Sequence, residues 1–261
     1  VTTKQQVDWL TMAGWGMLLM PLLTMWHEIG GHAAACVLQG GKTAAVGAFY
    51  VQCEGLDRWP DALVAVAGVL VNVALSLGAL LLWRRARDDH ARLVLWLIWL
   101  GEAFVVVGYL CFSGVTGVGD LGTAPGGSLS WLPMARAWRM GEIVVGVLVY
   151  ILLVRAGIRA LNDMLGSGAQ TRPARRRIAH SFYLASGLGA ALVGLLNPVG
   201  WFITIMSAAA SSLGGLAGFI SVGFAARGPD APKVFVIQRS WTVIAVGALT
   251  LLIFALILGP R

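Results

Sequence analysis

The sequence predicts an all-α, polytopic transmembrane helix bundle of about six to seven spans. Three observations predict it. Of the 261 residues, 58% are hydrophobic and only 12% are charged, where a soluble domain carries about 25% charged residues. Mean hydropathy is +0.79. Apolar runs of about twenty residues, the length that crosses a hydrocarbon core, recur along the chain with cationic residues gathered at their ends. No soluble domain of ordinary size fits between them.

The first span is predicted from Trp9 to Leu38 and carries His27, Glu28 and His32 in its last third. Gly40-Gly41 ends it, as glycine commonly ends helices. Lys42 to Trp59 is predicted as a loop in which Val46, Ala48, Tyr50 and Gln52 alternate, consistent with a short hairpin at the membrane face. Trp59-Pro60-Asp61 starts the next helix, with proline near the first turn. Spans two and three are predicted at Ala62 to Trp83 and about Leu93 to Gly114, the latter holding one acid, Glu102. A glycine-rich loop with Asp120 follows, then a fourth span around Met140 to Ile158 whose flanking Arg139 and Arg155 must snorkel.

Ser181 to Ala226 contains no charge over 46 residues. As a single helix it would be about 69 Å long, twice a bilayer. Asn197-Pro198 with Gly200 is predicted to break it into spans five and six. The rival is one span plus a re-entrant segment. Ser240 to Gly259 is the last span. With seven spans and the N-terminus inside, Lys4, the Arg84 to Arg92 group, the Arg155 to Arg177 group, Arg227, Lys233 and Arg239 all fall inside, which is 14 of the 19 Lys and Arg. The positive-inside rule favours that count.

The net charge of +7 is therefore read as topology and anionic-lipid contact, not nucleic-acid binding. The three cysteines, Cys36, Cys53 and Cys111, make neither a disulfide framework nor a CxxC metal site. The first segment is not expected to be a cleaved signal, because His27, Glu28 and His32 interrupt its apolar run.

Those three residues carry the chemistry. Ionisable groups in hydrocarbon cost several kcal/mol and are usually functional. A His-Glu pair followed by a second His points to zinc with a general base. In the HExxH pattern the histidines are four apart and share a helix face. Here they are five apart, and on an ideal helix they would point about 140° apart. A π-bulge absorbs one extra residue, and Gly30-Gly31 is a permissive place for it. Alternatively the helix stays straight and Glu28 and His32, four apart, ligate together while His27 stands behind them.

His27-Glu28-Ile29-Gly30-Gly31-His32-Ala33-Ala34-Ala35, followed by Gly40-Gly41, resembles the first motif of the site-2 protease family of intramembrane zinc metalloproteases, closest to compact bacterial members without PDZ or CBS domains. Ala67-Gly68-Val69-Leu70-Val71-Asn72 resembles that family's Ala-Gly-Pro-x-x-Asn stretch, with valine in place of proline. Asp120, in Gly119-Asp120-Leu121-Gly122, falls where the family places its third ligand, although the surrounding family context differs. The resemblance implies a protease-like core over residues 1–125, with residues 126–261 adding helices to the same membrane domain. It implies Zn2+ held by His27, His32 and Asp120, Glu28 as catalytic base, and Asn72 as a substrate contact. Asp120 also reads as an ordinary turn acid, Asn72 as polar glue between helices, and Glu102 as a packing or pathway residue.

The expected activity is endopeptidase cleavage in or near a transmembrane segment of a membrane-protein substrate, by a multi-pass protein of the cell membrane. The competing readings are a non-catalytic binding or assembly protein keeping the same fold, and a small transporter relaying protons through its buried His and Glu.

Overall fold

The computed structural model describes residues 5–196 and 212–260. A short strand β1 (Gln5–Val7) leads into α1 (Trp9–Met25), a π-helical stretch (Trp26–Ala33) and α2 (Ala34–Leu38), which together make one continuous rod. A hairpin follows, β2 (Lys42–Val46) and β3 (Val51–Glu54), then α3 (Arg58–Arg85), α4 (Asp89–Thr116) and α5 (Ala135–Leu165). After β4 (Gly166–Ser167) come α6 (Arg172–Leu195), the short α7 (Gly218–Phe224), β5 (Ala231–Pro232), β6 (Phe235–Ile237) and α8 (Trp241–Leu258).

Six of these helical rods are long and apolar enough to cross a membrane. Their outward faces explain why they need one. On α5, Val144, Val145, Leu148, Ile151 and Leu152 are exposed, and on α8 so are Leu249, Leu252, Ile253 and Leu256. In water these would be contiguous apolar patches of a size soluble proteins avoid. In lipid they are the solvated surface, and the helices satisfy their own backbone groups.

The chain's returns fix the order of crossings. α6 starts beside β4 and rises about 36 Å over its 24 residues. Yet β5, further along the chain, pairs antiparallel with β4. The chain therefore crosses back between Leu195 and Ala231, and α7 lies on that return. Among the described residues, six of the crossings are long apolar helices. The expected break at Asn197-Pro198 lies outside the described residues.

The two ends of the bundle differ. At one end β1 pairs in parallel with β6, and Asp8 caps α1, its carboxylate accepting from Thr11 N–H at 2.9 Å and from Arg239 Nε at 3.0 Å. The other end holds the β2–β3 hairpin, the loop after α4 and the end of α8, whose Leu258 carbonyl accepts from Ala48 N–H at 3.0 Å. The core runs down the middle, with Trp96, Leu97, Leu100 and Phe104 of α4 fully buried against Phe219 of α7 and Phe182 of α6.

One expectation is corrected here. Cys36 and Cys53 form a disulfide, tying the end of α2 to β3. The hairpin folds back over the helix end, so two cysteines that are 17 residues apart become neighbours. Cys111 is free.

Candidate metal centre

The site begins with a local departure from α-helical winding. Trp26–Ala33 is wound as a π-helix, and Ala34 N–H reaches the carbonyl of Ile29, five residues back. This extra residue per turn closes the angular gap that a five-residue spacing opens. The Nε2 atoms of His27 and His32 lie 3.0 Å apart. The straight-helix alternative, with the two imidazoles facing apart, is not the arrangement present.

α3 supplies the floor. Gly68 lies directly under the imidazoles, and a Cβ there would stand 2.5 Å from His32 Nε2 and 2.6 Å from His27 Cε1. The same helix orients both rings from behind. His32 Nδ1 is 2.7 Å from the Val64 carbonyl. A carbonyl only accepts, so Nδ1 carries the proton and Nε2 presents its lone pair. His27 Nδ1 is 3.2 Å from Asn72 Oδ1, and donation to that oxygen leaves His27 in the same tautomer. Such outer partners are what set a ligating imidazole's orientation and basicity.

The third group arrives from the loop after α4. Asp120 Oδ2 is 3.0 Å from His27 Nε2 and 3.4 Å from His32 Nε2. The loop is held by its own turn, Gly122 N–H to Gly119 O at 2.8 Å. Arg139 of α5 steadies the helix end, its Nε donating to Gly114 O at 2.9 Å.

Three acceptor atoms thus converge with separations of 3.0, 3.0 and 3.4 Å. Tetrahedral ligands at about 2.0–2.1 Å from a metal stand about 3.3 Å apart. Lone pairs facing one another in a buried place call for a cation or a shared proton at their centre, and two imidazoles with a carboxylate are the donors a borderline ion such as zinc takes. The residues present fit such an ion.

Glu28 completes the group. The donor atoms of His27, Glu28 and His32 all lie within 4.8 Å of one another, and Glu28 Oε2 is buried with no hydrogen-bond partner among the described residues. It lines two spaces at once. An open vestibule of about 380 Å³ lies toward the hairpin, bounded by Glu28, His32, Asp120 and Gln52. An inner cavity of about 80 Å³ lies toward the bundle centre, bounded by His27, Glu28, Asn72, Glu102 and Tyr109.

The sequence-predicted residues His27, Glu28, His32, Asp120 and Asn72 therefore come together, Asn72 touching His27 as well as the inner cavity. One residue was missed. Tyr109 of α4 stacks on His27 with ring centroids 5.2 Å apart, and its hydroxyl is 3.3 Å from His27 Nε2. Its only sequence signal was its place seven residues after Glu102, on the same helix face. Comparison with known protein families, curated proteins and solved structures returned no match.

Proposed function

We propose that this chain is a zinc-dependent intramembrane endopeptidase of the site-2 type that its first motif resembles, hydrolysing a peptide bond in or next to a transmembrane segment of a membrane protein. One observation carries the reading. A π-turn inside a membrane-spanning rod brings His27 and His32 to 3.0 Å, against the Asp120 carboxylate and beside Glu28.

His27, His32 and Asp120 would hold the ion. When bound, it supplies Lewis-acid polarisation of the scissile carbonyl and eases deprotonation of the attacking water. Glu28 takes the proton from that water as its oxygen bonds to the carbonyl carbon. Glu28 then gives the proton to the amide nitrogen as the C–N bond breaks. The products are a carboxylic acid and an amine. Asn72 and Val64 hold the imidazoles in the tautomer that leaves both Nε2 atoms free. The Tyr109 hydroxyl, at the rim of the same point, is placed to donate to the oxygen that gains negative charge. The vestibule at the membrane face lets water and an unwound peptide reach the site.

The test is Glu28→Gln in purified full-length protein. Cleavage of membrane-protein substrates should vanish while bound zinc stays near one per chain, because the change removes a base and not a ligand. Loss of the metal from that variant would make Glu28 a ligand and overturn the assigned roles. Wild-type protein that binds zinc yet cleaves no tested substrate would support the non-catalytic binding reading.

A further inference from the structure

The inner cavity holds a second carboxylate that the proposed chemistry does not use. Glu102 lies on α4, is 4% exposed, and lines that cavity with one oxygen, Oε2, lacking any hydrogen-bond partner among the described residues. Buried polar atoms are nearly always paired, and each exception needs an explanation. Three other polar groups on the same wall have theirs. Thr24 Oγ1 donates to Met20 O at 2.8 Å, Ser186 Oγ donates to Gly16 O at 3.3 Å, and Asn72 accepts from His27. Glu28 keeps a free oxygen too, but it is the proposed base. The Glu102 oxygen has no such explanation.

Its position defines what it could meet. Glu102 and Tyr109 are seven residues apart on one helix, so they share a face and lie about 10.5 Å apart along the axis. Tyr109 marks the reacting centre, with its hydroxyl 3.3 Å from His27 Nε2. The same cavity is also walled by Met20, Leu23, Val105, Phe182 and Leu216. One cavity is thus lined by the catalytic group, by apolar walls and by a carboxylate with an unpaired oxygen. A long side chain with an aliphatic stem and a cationic head matches those surroundings.

We propose that the inner cavity is a substrate side-chain subsite, and that Glu102 selects Lys or Arg next to the scissile bond. The proposal rests on the endopeptidase reading for its substrate but not for its ligand chemistry. The stem would lie along Leu23 and Val105, and the head would pair with Glu102.

Two measurements on the purified full-length protein test it. The first is binding of n-butylguanidinium, a stand-in for the arginine side chain, read as a shift in thermal unfolding. Wild type should bind it saturably, with at least tenfold loss in Glu102→Gln and in Glu102→Leu and with zinc content unchanged. Equal binding by wild type and both variants, or no binding by wild type, overturns the proposal. The second is cleavage of micelle-embedded peptides differing only at the residues flanking the scissile bond. Wild type should favour Lys or Arg over Leu at one flanking position by tenfold or more, and Glu102→Gln should abolish that preference. A preference unchanged in the variant overturns the subsite. If no peptide is cut, the hydrolase reading fails, and the guanidinium result still decides the pocket.

Discussion

Gly31 of the π-turn and Gly68 of α3 meet backbone to backbone: a Cβ on Gly31 would stand 2.6 Å from the Gly68 Cα. The crossing leaves room for hydrogen atoms only, and the two imidazoles occupy what space remains over Gly68. Gly68→Ala should therefore splay the helices or displace the rings. Overpacking of this kind costs about 1–3 kcal/mol, and disturbed ligand support lowers metal affinity roughly 10- to 100-fold. Zinc titration of the variant beside wild type checks it. Wild-type affinity in Gly68→Ala would mean that the rings do not meet a metal at this crossing.

Asp120→Ala removes one of three converging donors and leaves two histidines, an incomplete site. Zinc affinity should fall by more than the roughly 100-fold that bounds an outer-shell change. Because Asp120 lies in a loop held by its own turn, and Arg139 holds the end of α4 before it, the melting temperature of the metal-free protein should change little. Equal zinc content in the variant and wild type would remove Asp120 from the ligand set.

The π-turn carries one residue more than an α-helical path needs. Deleting Gly30 should restore a four-residue spacing between the histidines and α-helical winding, with the flanking helix registers preserved. Gly30 is the better choice because Gly31 forms the close contact with Gly68. This deletion should express and retain zinc, whereas deletion of a residue in α1 should rotate the site away from α3. Metal content and folded yield across a deletion series compare the two. A Gly30 deletion as damaging as those in α1 would contradict the bulge as the source of the geometry.

Asp8 links the N-terminus to the start of α8 and gives a pH signature. Burial raises its pKa, but the Thr11 N–H and the Arg239 guanidinium outweigh that, so the carboxyl lies below its ordinary value. A lowered native pKa stabilises the fold fully above the unfolded value of about 3.9, and the gain is lost as pH falls through the native value. Asp8→Asn keeps a good N-cap and removes the charge; Asp8→Ala also loses the cap, at a cost of about 1 kcal/mol. The melting-temperature gap between wild type and Asp8→Asn should be present at neutral pH and close below about pH 4. A gap independent of pH would mean that Asp8 is not held as a carboxylate by Arg239.

Much of the fold was legible because lipid demands one thing of sequence, a long apolar run, and the spans begin and end within a few residues of where charge returns. The π-turn was legible for a different reason. Two histidines five apart cannot share a metal on a regular helix, so either the ligand pair or the winding had to give. Asp120 could be placed only through the resemblance, since a turn acid carries no mark of which helix it folds against. Tyr109 was hidden because an aromatic residue in an apolar span reads as packing. The Cys36–Cys53 bond was hidden because it depends on the hairpin folding back over α2, which neither cysteine's neighbours reveal.

That bond fastens the hairpin to the rod that carries both histidines, at the same end of the bundle as the vestibule. Paired thiols persist in oxidising surroundings and are rare where glutathione keeps cysteines reduced. If the bond forms in the cell, this end of the bundle faces an oxidising compartment, opposite the end that carries Arg84, Arg85 and Arg172. Reductant confined to that side would loosen the wall of the vestibule and leave the three metal-facing groups in place.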